Sequence, residues 1–141
     1  EAERPGRRFM DALIALKESG KLNIGNIKDE MAKVPVPGQV NIGWYDEEYN
    51  LLLNPEIAYS TIRQFRSNSD EPLTFKQEAV WRDLKEMGMT DCSNGRTRYQ
   101  ARIYGNLTYV IKIKTTVFQD TGYLKEIREE INRNEKDKTD D

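Results

Sequence analysis

The side chains best suited to contact a charged ligand are eight cations in the second half of the chain. Residues 73–114 hold these eight and 4 acidic residues, a net charge of +4, whereas the whole 141-residue chain carries −2. Arginine and lysine bind phosphate oxygens, which positions a protein on nucleic acid without reading its sequence. We therefore predict a nucleic-acid-binding surface formed by Arg96, Arg98, Arg102, Lys112, Lys114, Lys76, Arg82 and Lys85.

The same cations have a second interpretation. On a hairpin they can keep an edge strand from pairing with other chains, and on a helix they can belong to a solvated surface. Glu78 and Arg82 are four residues apart and are expected to pair along a helix, while Asp83 and Glu86 would face phosphate unfavourably. The hairpin is thus the stronger candidate for phosphate contact.

The composition excludes several kinds of catalytic and metal site. The chain has no histidine and one cysteine, Cys92, so sites that need histidine are ruled out within it. It has no glycine-rich nucleotide loop. We expect a non-enzymatic protein with no catalytic residue, no metal and no cofactor. A single cysteine fits the cytoplasm, and no apolar run reaches the ~18 residues of a membrane helix.

Three aromatic residues, Trp44, Tyr45 and Trp81, raise the possibility of base stacking. Trp81 falls in the apolar stripe of a predicted helix, and Trp44 falls in a short predicted strand, so we expect both to pack inside the protein. The acidic residues 46–48 are expected to form a solvated turn rather than a metal site.

Apolar spacing predicts one helix and several short strands in the N-terminal half. Residues recurring every three or four positions indicate a helix over 7–19, ended by Gly20. Short strands are predicted at 21–27, 41–45 and 50–53, and an irregular loop is predicted at 28–40. Asn54, Pro55 and Glu56 then form a strong helix start, with a cap, a proline at the first position and an early acid.

A further helix is predicted over 74–87, with a capping box of Thr74 and Gln77 at its start and Gly88 at its end. About five residues, 68–72, would separate it from the helix that follows Asn54, so the two helices must form a corner.

A hairpin is predicted over 97–104 and 108–114. We expect Ile103 to oppose Tyr109, because that register makes every inward pair apolar or aromatic. The further pairs would be Ala101 with Ile111 and Tyr99 with Ile113. This register requires a connection of about three to five residues and excludes a two-residue turn. The five hairpin cations would then lie on or beside one outward face: Arg96, Arg98, Arg102, Lys112 and Lys114.

Helix, corner, helix and hairpin follow one another in the order of a winged helix-turn-helix. We therefore predict an α+β fold of this class over residues 1–118, with an extra N-terminal helix and short strands. Residues 119–141 are predicted to hold a last helix at 123–135 and a charged, partly disordered tail.

Several strings of residues resemble one family. They are Arg8-Phe9, Ser19-Gly20-Lys21, Ile42-Gly43-Trp44, Leu51-Leu52-Leu53-Asn54-Pro55, Ala58-Tyr59 and Leu84-Lys85-Glu86-Met87-Gly88. Together with the basic hairpin they resemble the C-terminal winged-helix domain of replicative helicase or primase-helicase ATPases encoded by phages and mobile elements. The resemblance runs from about residue 7 to residue 114. It implies that an ATPase domain lies upstream in the same protein, and we accordingly expect the chain to be a fragment.

Two functions are weighed on this basis. We expect an accessory domain that contacts DNA phosphates mainly through the basic hairpin, weakly and in a salt-dependent way. The alternative is a protein-interaction or regulatory module that docks on its own motor domain or on another partner. The net charge of −3 in residues 1–72 favours this alternative.

Overall fold

The structure is a computed structural model that describes residues 4–29, 37–93 and 95–118. Over these residues the chain forms helices and strands in the predicted α+β mixture. In chain order they are α1 Pro5–Glu18, β1 Leu22–Asn26, β2 Val40–Tyr45, β3 Leu51–Leu53, α2 Pro55–Arg66, α3 Gln77–Glu86, β4 Thr90–Asp91, β5 Tyr99–Ile103, β6 Asn106–Ile113 and a 3-10 turn at Thr115–Phe118. The predicted helix at 123–135 and the tail lie outside the described residues, so the boundary at residue 118 stays a prediction.

Local sequence signals are confirmed for the N-terminal elements. The predicted helix over 7–19 is present as α1, but it starts two residues earlier, at Pro5, where a missing N–H costs nothing. Asn54 caps α2, because its side-chain oxygen accepts a hydrogen bond from the Ile57 amide at 3.1 Å. The three short strands also form where alternation placed them, and the predicted loop loses only Val40 to β2 within the described residues.

The prediction for the start of α3 is wrong. The helix begins at Gln77 with no side-chain cap, and Thr74 lies before it. Gln77 has other partners: its Oε1 accepts from Trp81 Nε1 and its Nε2 donates to Glu56 Oε2, both at 3.1 Å. The connection from α2 covers residues 67–76, so it is longer than the predicted corner.

The six strands are connected through β6. Along the sheet the order is β1-β2-β3-β6-β4, and β5 pairs with β6 off this path. β1 and β2 are parallel and the other pairs are antiparallel. At Gly43, β2 and β3 approach so closely that an added Cβ would lie 2.1 Å from the carbonyl oxygen of Leu52. A larger residue at this position would push the two strands apart.

The main core packs the three helices against one face of the sheet. Trp81 of α3 is fully buried, and its ring meets Phe9 edge-on at 5.1 Å and Tyr59 at 6.5 Å between centroids. Edge-to-face aromatic pairs of this kind stabilise a core beyond the area that they bury. Trp81 is therefore a core residue, as predicted.

A second, smaller cluster lies on the opposite face of the sheet. It contains Leu52, Ala101, Ile103 and Val110, with Trp44 partly buried against them. Leu52 belongs to this cluster while its neighbours in β3 face the main core, as strand alternation requires. The sheet is therefore covered by apolar side chains on both faces near β3 and β6.

A buried carboxylate joins the start of α1 to α3. Asp83 accepts hydrogen bonds from Arg4 Nε at 2.9 Å and from the Gly6 amide at 2.8 Å. Burial alone would raise the pKa of Asp83, but the hydrogen bonds from Arg4 and Gly6 and the Arg4 charge outweigh burial and lower the pKa. The expectation that Asp83 would face a ligand is wrong, since the side chain points toward α1 and is 10% exposed.

The predicted hairpin register is also wrong. Tyr99 pairs with Val110, Ala101 with Thr108, and Ile103 with Asn106. The strands are joined by a two-residue turn at Tyr104 and Gly105, both with positive φ (50° and 85°). Positive φ at both positions is the signature of a type I′ turn, which matches the twist of paired strands.

The error has a physical reason in β6. The prediction assumed that all apolar residues of the hairpin face a single core. In the structure Ile111 and Ile113 face the main core, whereas Val110 faces the second cluster. The apolar residues of the hairpin therefore face two different cores. Tyr109 lies on the same face of β6 as Ile111 and points away from Ile103.

We expect Asp83→Asn to lower the free energy of unfolding at pH 7 by about 2 kcal/mol, because a hydrogen bond to a charged group contributes about 1.5–3 kcal/mol. The folded pKa of Asp83 lies below its unfolded value of about 3.9. Its carboxylate thus contributes stability above that value and loses the contribution as pH falls through the folded pKa. Urea titrations followed by tryptophan fluorescence should show a constant gap between wild type and variant near neutrality that narrows in acid.

The matched control is Glu86→Gln on the same helix. Glu86 also approaches Arg4, at 3.6 Å, but its side chain is 64% exposed, and exposed ion pairs contribute at most about 1 kcal/mol. Equal losses for the two variants, or a gap for Asp83→Asn that persists unchanged in acid, would contradict this account of Asp83.

We expect Gly105→Ala to destabilise the protein by about 1–2 kcal/mol, because a side chain in the left-handed region costs that much. Asn106→Ala, at the exposed neighbouring position, should change the free energy of unfolding by less than about 0.5 kcal/mol. Thermal unfolding followed by circular dichroism compares the two. A Gly105→Ala protein as stable as wild type would argue for the longer connection and against the two-residue turn.

Candidate nucleic-acid interface

An open cleft of about 710 Å³ separates the outer face of α3 from the hairpin. One wall is α3, and the other is the chain that leads into β5 together with one residue of β6. The lining residues are Glu78, Arg82, Lys85, Glu86, Gly95, Arg96, Thr97, Arg98 and Tyr109. Four of the eight predicted cations are therefore brought together here, two from each wall.

Two contacts hold the walls in place. Lys85 Nζ donates a hydrogen bond to the carbonyl oxygen of Arg96 at 2.9 Å. Arg98 forms an ion pair with Glu78 at 2.6 Å. Both contacts run from α3 to the chain before β5, so polar contacts between the two walls fix their separation.

The pairing of Arg98 with Glu78 changes the predicted charge pattern. Glu78 was expected to pair with Arg82, but within the described residues its ion pair is with Arg98. Glu86, the other acid at the cleft, lies 3.6 Å from Arg4. Each acid therefore has a cationic partner, and the cleft keeps an excess of positive charge.

Arg82, Lys85 and Arg96 carry that excess; Lys85 also binds the Arg96 carbonyl, whereas Arg82 and Arg96 present their side chains to solvent. Both residues are exposed, one on each wall. Within the part of the chain that the structure describes, neither guanidinium has an ion pair or a hydrogen bond. Each presents its donors to solvent in the fork geometry that matches phosphate or carboxylate oxygens.

The other four predicted cations do not line the cleft, so the prediction that the hairpin cations share one face is wrong. Lys112 lies on the opposite face, where its Nζ is 4.1 Å from the Tyr99 ring centroid and 3.5 Å from Asp91. Arg102 is near the turn and donates to the Gly105 carbonyl at 3.1 Å. Lys76 and Lys114 are exposed elsewhere. The register of β6 explains the split, since it separates Lys112 from Arg98.

Tyr109 is the cleft residue that sequence reasoning missed. It is 49% exposed, and its hydroxyl accepts a hydrogen bond from Gln100 Nε2 at 3.3 Å. The signal that could have found it is the Tyr104-Gly105 dipeptide, because a two-residue turn there fixes the register. The three aromatic residues that the sequence analysis considered for base stacking are not exposed, since Trp81 and Tyr45 are buried and Trp44 is partly buried.

The acidic turn and the cysteine, which are the other candidate sites in the sequence, make contacts within the protein. Asp46 accepts hydrogen bonds from the amides of Glu48 and Asn50, both at 2.9 Å, and so organises the acidic turn. Cys92 is partly buried, with its sulfur 3.4 Å from the Thr97 carbonyl. Across residues 4–29, 37–93 and 95–118, no group of three or more acidic or cysteine side chains is placed to hold a metal ion. None of the described helices combines the length and apolarity needed to cross a bilayer.

Comparison with known proteins identifies no relative of this chain, so the functional assignment rests on the geometry of the cleft. No protein-family model matches the chain, and no curated protein matches it significantly.

Proposed function

We propose that this protein contacts the phosphate backbone of DNA through the cleft between α3 and the hairpin. The observation that carries the proposal is the pair of solvent-facing arginines, Arg82 and Arg96, on opposite walls of a cleft whose acids have cationic partners. Two cations on facing walls can hold one strand from both sides. Phosphate contact of this kind positions a domain without specifying sequence.

The arrangement of elements supports a winged helix-turn-helix as the finer description of the fold. α1, β3, α2 and α3 are followed by the β5–β6 hairpin, and β3 pairs with β6 as a third strand. In this class the second helix of the corner and the wing contact DNA. The cleft lies between these two elements, so the helix and the hairpin would share the ligand.

The overall charge sets the expected strength of binding. With a net charge of −2, the protein lacks the broad positive field that speeds and tightens association with DNA. We expect weak, strongly salt-dependent binding that suits an accessory role. The resemblance to replication ATPases supports such a role beside a motor domain.

We expect the double substitution Arg82→Gln with Arg96→Gln to weaken DNA binding at least tenfold at low ionic strength. Each phosphate contact contributes about 0.7–0.9 to the slope of log affinity against log salt concentration. Loss of two contacts should therefore reduce that slope by about 1.4–1.8. Fluorescence anisotropy of labelled DNA, measured over a series of salt concentrations, gives both quantities.

The matched control is Lys21→Gln with Arg63→Gln, which makes the same change in net charge at two exposed positions outside the cleft. Its affinity should stay within about twofold of wild type, and its slope should not change. Equal effects of the two double variants would show that affinity depends on the net charge of the protein and not on the arginines of the cleft. An absence of salt-sensitive binding by the wild-type protein would refute the proposal.

The alternative of a module that docks on a motor domain or a partner protein stays a prediction. It gains ground only if the wild-type protein fails the DNA test, because the two unpaired arginines would then need a different anionic ligand.

A further inference from the structure

We infer that the cleft is specific for single-stranded DNA and that Tyr109 is the surface on which one of its bases stacks. This inference rests on the proposed function and extends it, since phosphate contact alone does not distinguish a single strand from a duplex. It commits the cleft to a ligand with two parts, a phosphate for the arginines and an unstacked base for the tyrosine.

Among the described residues, Tyr109 is the aromatic side chain with the greatest exposure, at 49%, and the others are buried or partly buried. The ring lines the same cleft as Arg82 and Arg96. Its backbone lies in the paired part of β6, opposite Gln100, and Gln100 Nε2 donates to its hydroxyl. The pairing of β6 and the hydrogen bond from Gln100 therefore restrict the position of the ring.

The packing of the fold does not account for an exposed tyrosine at position 109. Residues 107, 109, 111 and 113 point to one face of β6. Ile111 and Ile113 are fully buried in the main core, while Leu107 and Tyr109 lie beyond its edge and are 58% and 49% exposed. Other tyrosines have clear contacts: Tyr104 donates to the carbonyl of Asn26 at 3.1 Å, and Tyr59 donates to that of Phe75.

The chemistry of the cleft matches an unstacked nucleotide. Every base has a π-face that can stack on an aromatic ring, so stacking tolerates any sequence. Arginines beside the ring can hold the phosphates that flank the stacked base. The volume of about 710 Å³ lies within the 300–1,000 Å³ that pockets for small ligands usually span.

The same geometry disfavours a duplex. The faces of bases in a duplex are covered by their neighbours, so a base must be taken out of the stack to reach Tyr109, which costs free energy. A single strand offers its bases without that cost. We therefore expect tighter binding to a single strand than to a duplex of equal length.

The experiment crosses one substitution with one change in the ligand. The 141-residue protein and its Tyr109→Leu variant are titrated into fluorescein-labelled oligothymidine of about 15 nucleotides and into a 15-unit abasic strand that has the same phosphates and no bases. With wild type, removal of the bases should weaken binding about tenfold. With Tyr109→Leu, oligothymidine should bind about tenfold more weakly than to wild type, and the abasic strand should bind as it does to wild type.

Two further variants separate stacking from other effects. Tyr109→Phe keeps the ring and should bind oligothymidine within about twofold of wild type. Ile57→Ala truncates an exposed apolar side chain on α2, 43% exposed and outside the cleft, and should leave binding unchanged. Circular dichroism melts check that each variant is folded. The reduced salt slope expected of Arg82→Gln with Arg96→Gln should not occur in Tyr109→Leu.

The outcomes distinguish this inference from the proposed function. Salt-sensitive binding with equal affinity for oligothymidine, the abasic strand and a duplex would retain phosphate contact and overturn the stacking role. Tighter binding to the duplex, or an unchanged affinity of Tyr109→Leu for oligothymidine, would overturn it as well. Failure of every DNA ligand to bind at about 50 mM salt would overturn both proposals.

Discussion

Strand β6 belongs to two cores at once, and the rest of the structure depends on that. Its side chains alternate between the main core, where Ile111 and Ile113 are fully buried, and the second cluster, where Val110 is fully buried. A shift of one residue would exchange these faces and place Lys112 in the main core. The register of the hairpin, the pairing with β3 and the direction of Tyr109 all follow from this single constraint.

The position of α3 is the second requirement of the cleft. Trp81 anchors the inner face of the helix in the main core, and Asp83 ties it to the start of α1. Both side chains are buried and neither lines the cleft, so the exposed part of α3 is left to Arg82 and the residues near it. Packing on one side of the helix thus determines which charges are available on the other.

Much of the fold follows from local sequence signals. Asn54 and Pro55 define the start of α2 because capping depends on a few neighbouring residues, and the short strands around residues 46–48 follow from alternation and turn chemistry. The start of α3 was missed because Gln77 bonds to Glu56 on another helix, which no local pattern encodes. The register of the hairpin was missed because two cores, and not one, divide its apolar residues. For the site, the four cations of the cleft were predicted, but their separation from Lys112 and the exposure of Tyr109 depend on pairing between distant strands.

The contact between Arg4 and Asp83 joins residues 79 positions apart, and this separation bears on how the protein folds. Closing so long a loop has an entropic cost that is recovered only when the contacts at both ends form together. The pairing of Leu51 with Ile113 and the contact of Phe9 with Trp81 impose the same demand. We therefore expect α1 to gain its tertiary stabilisation only once α3 and the strands that follow it are in place.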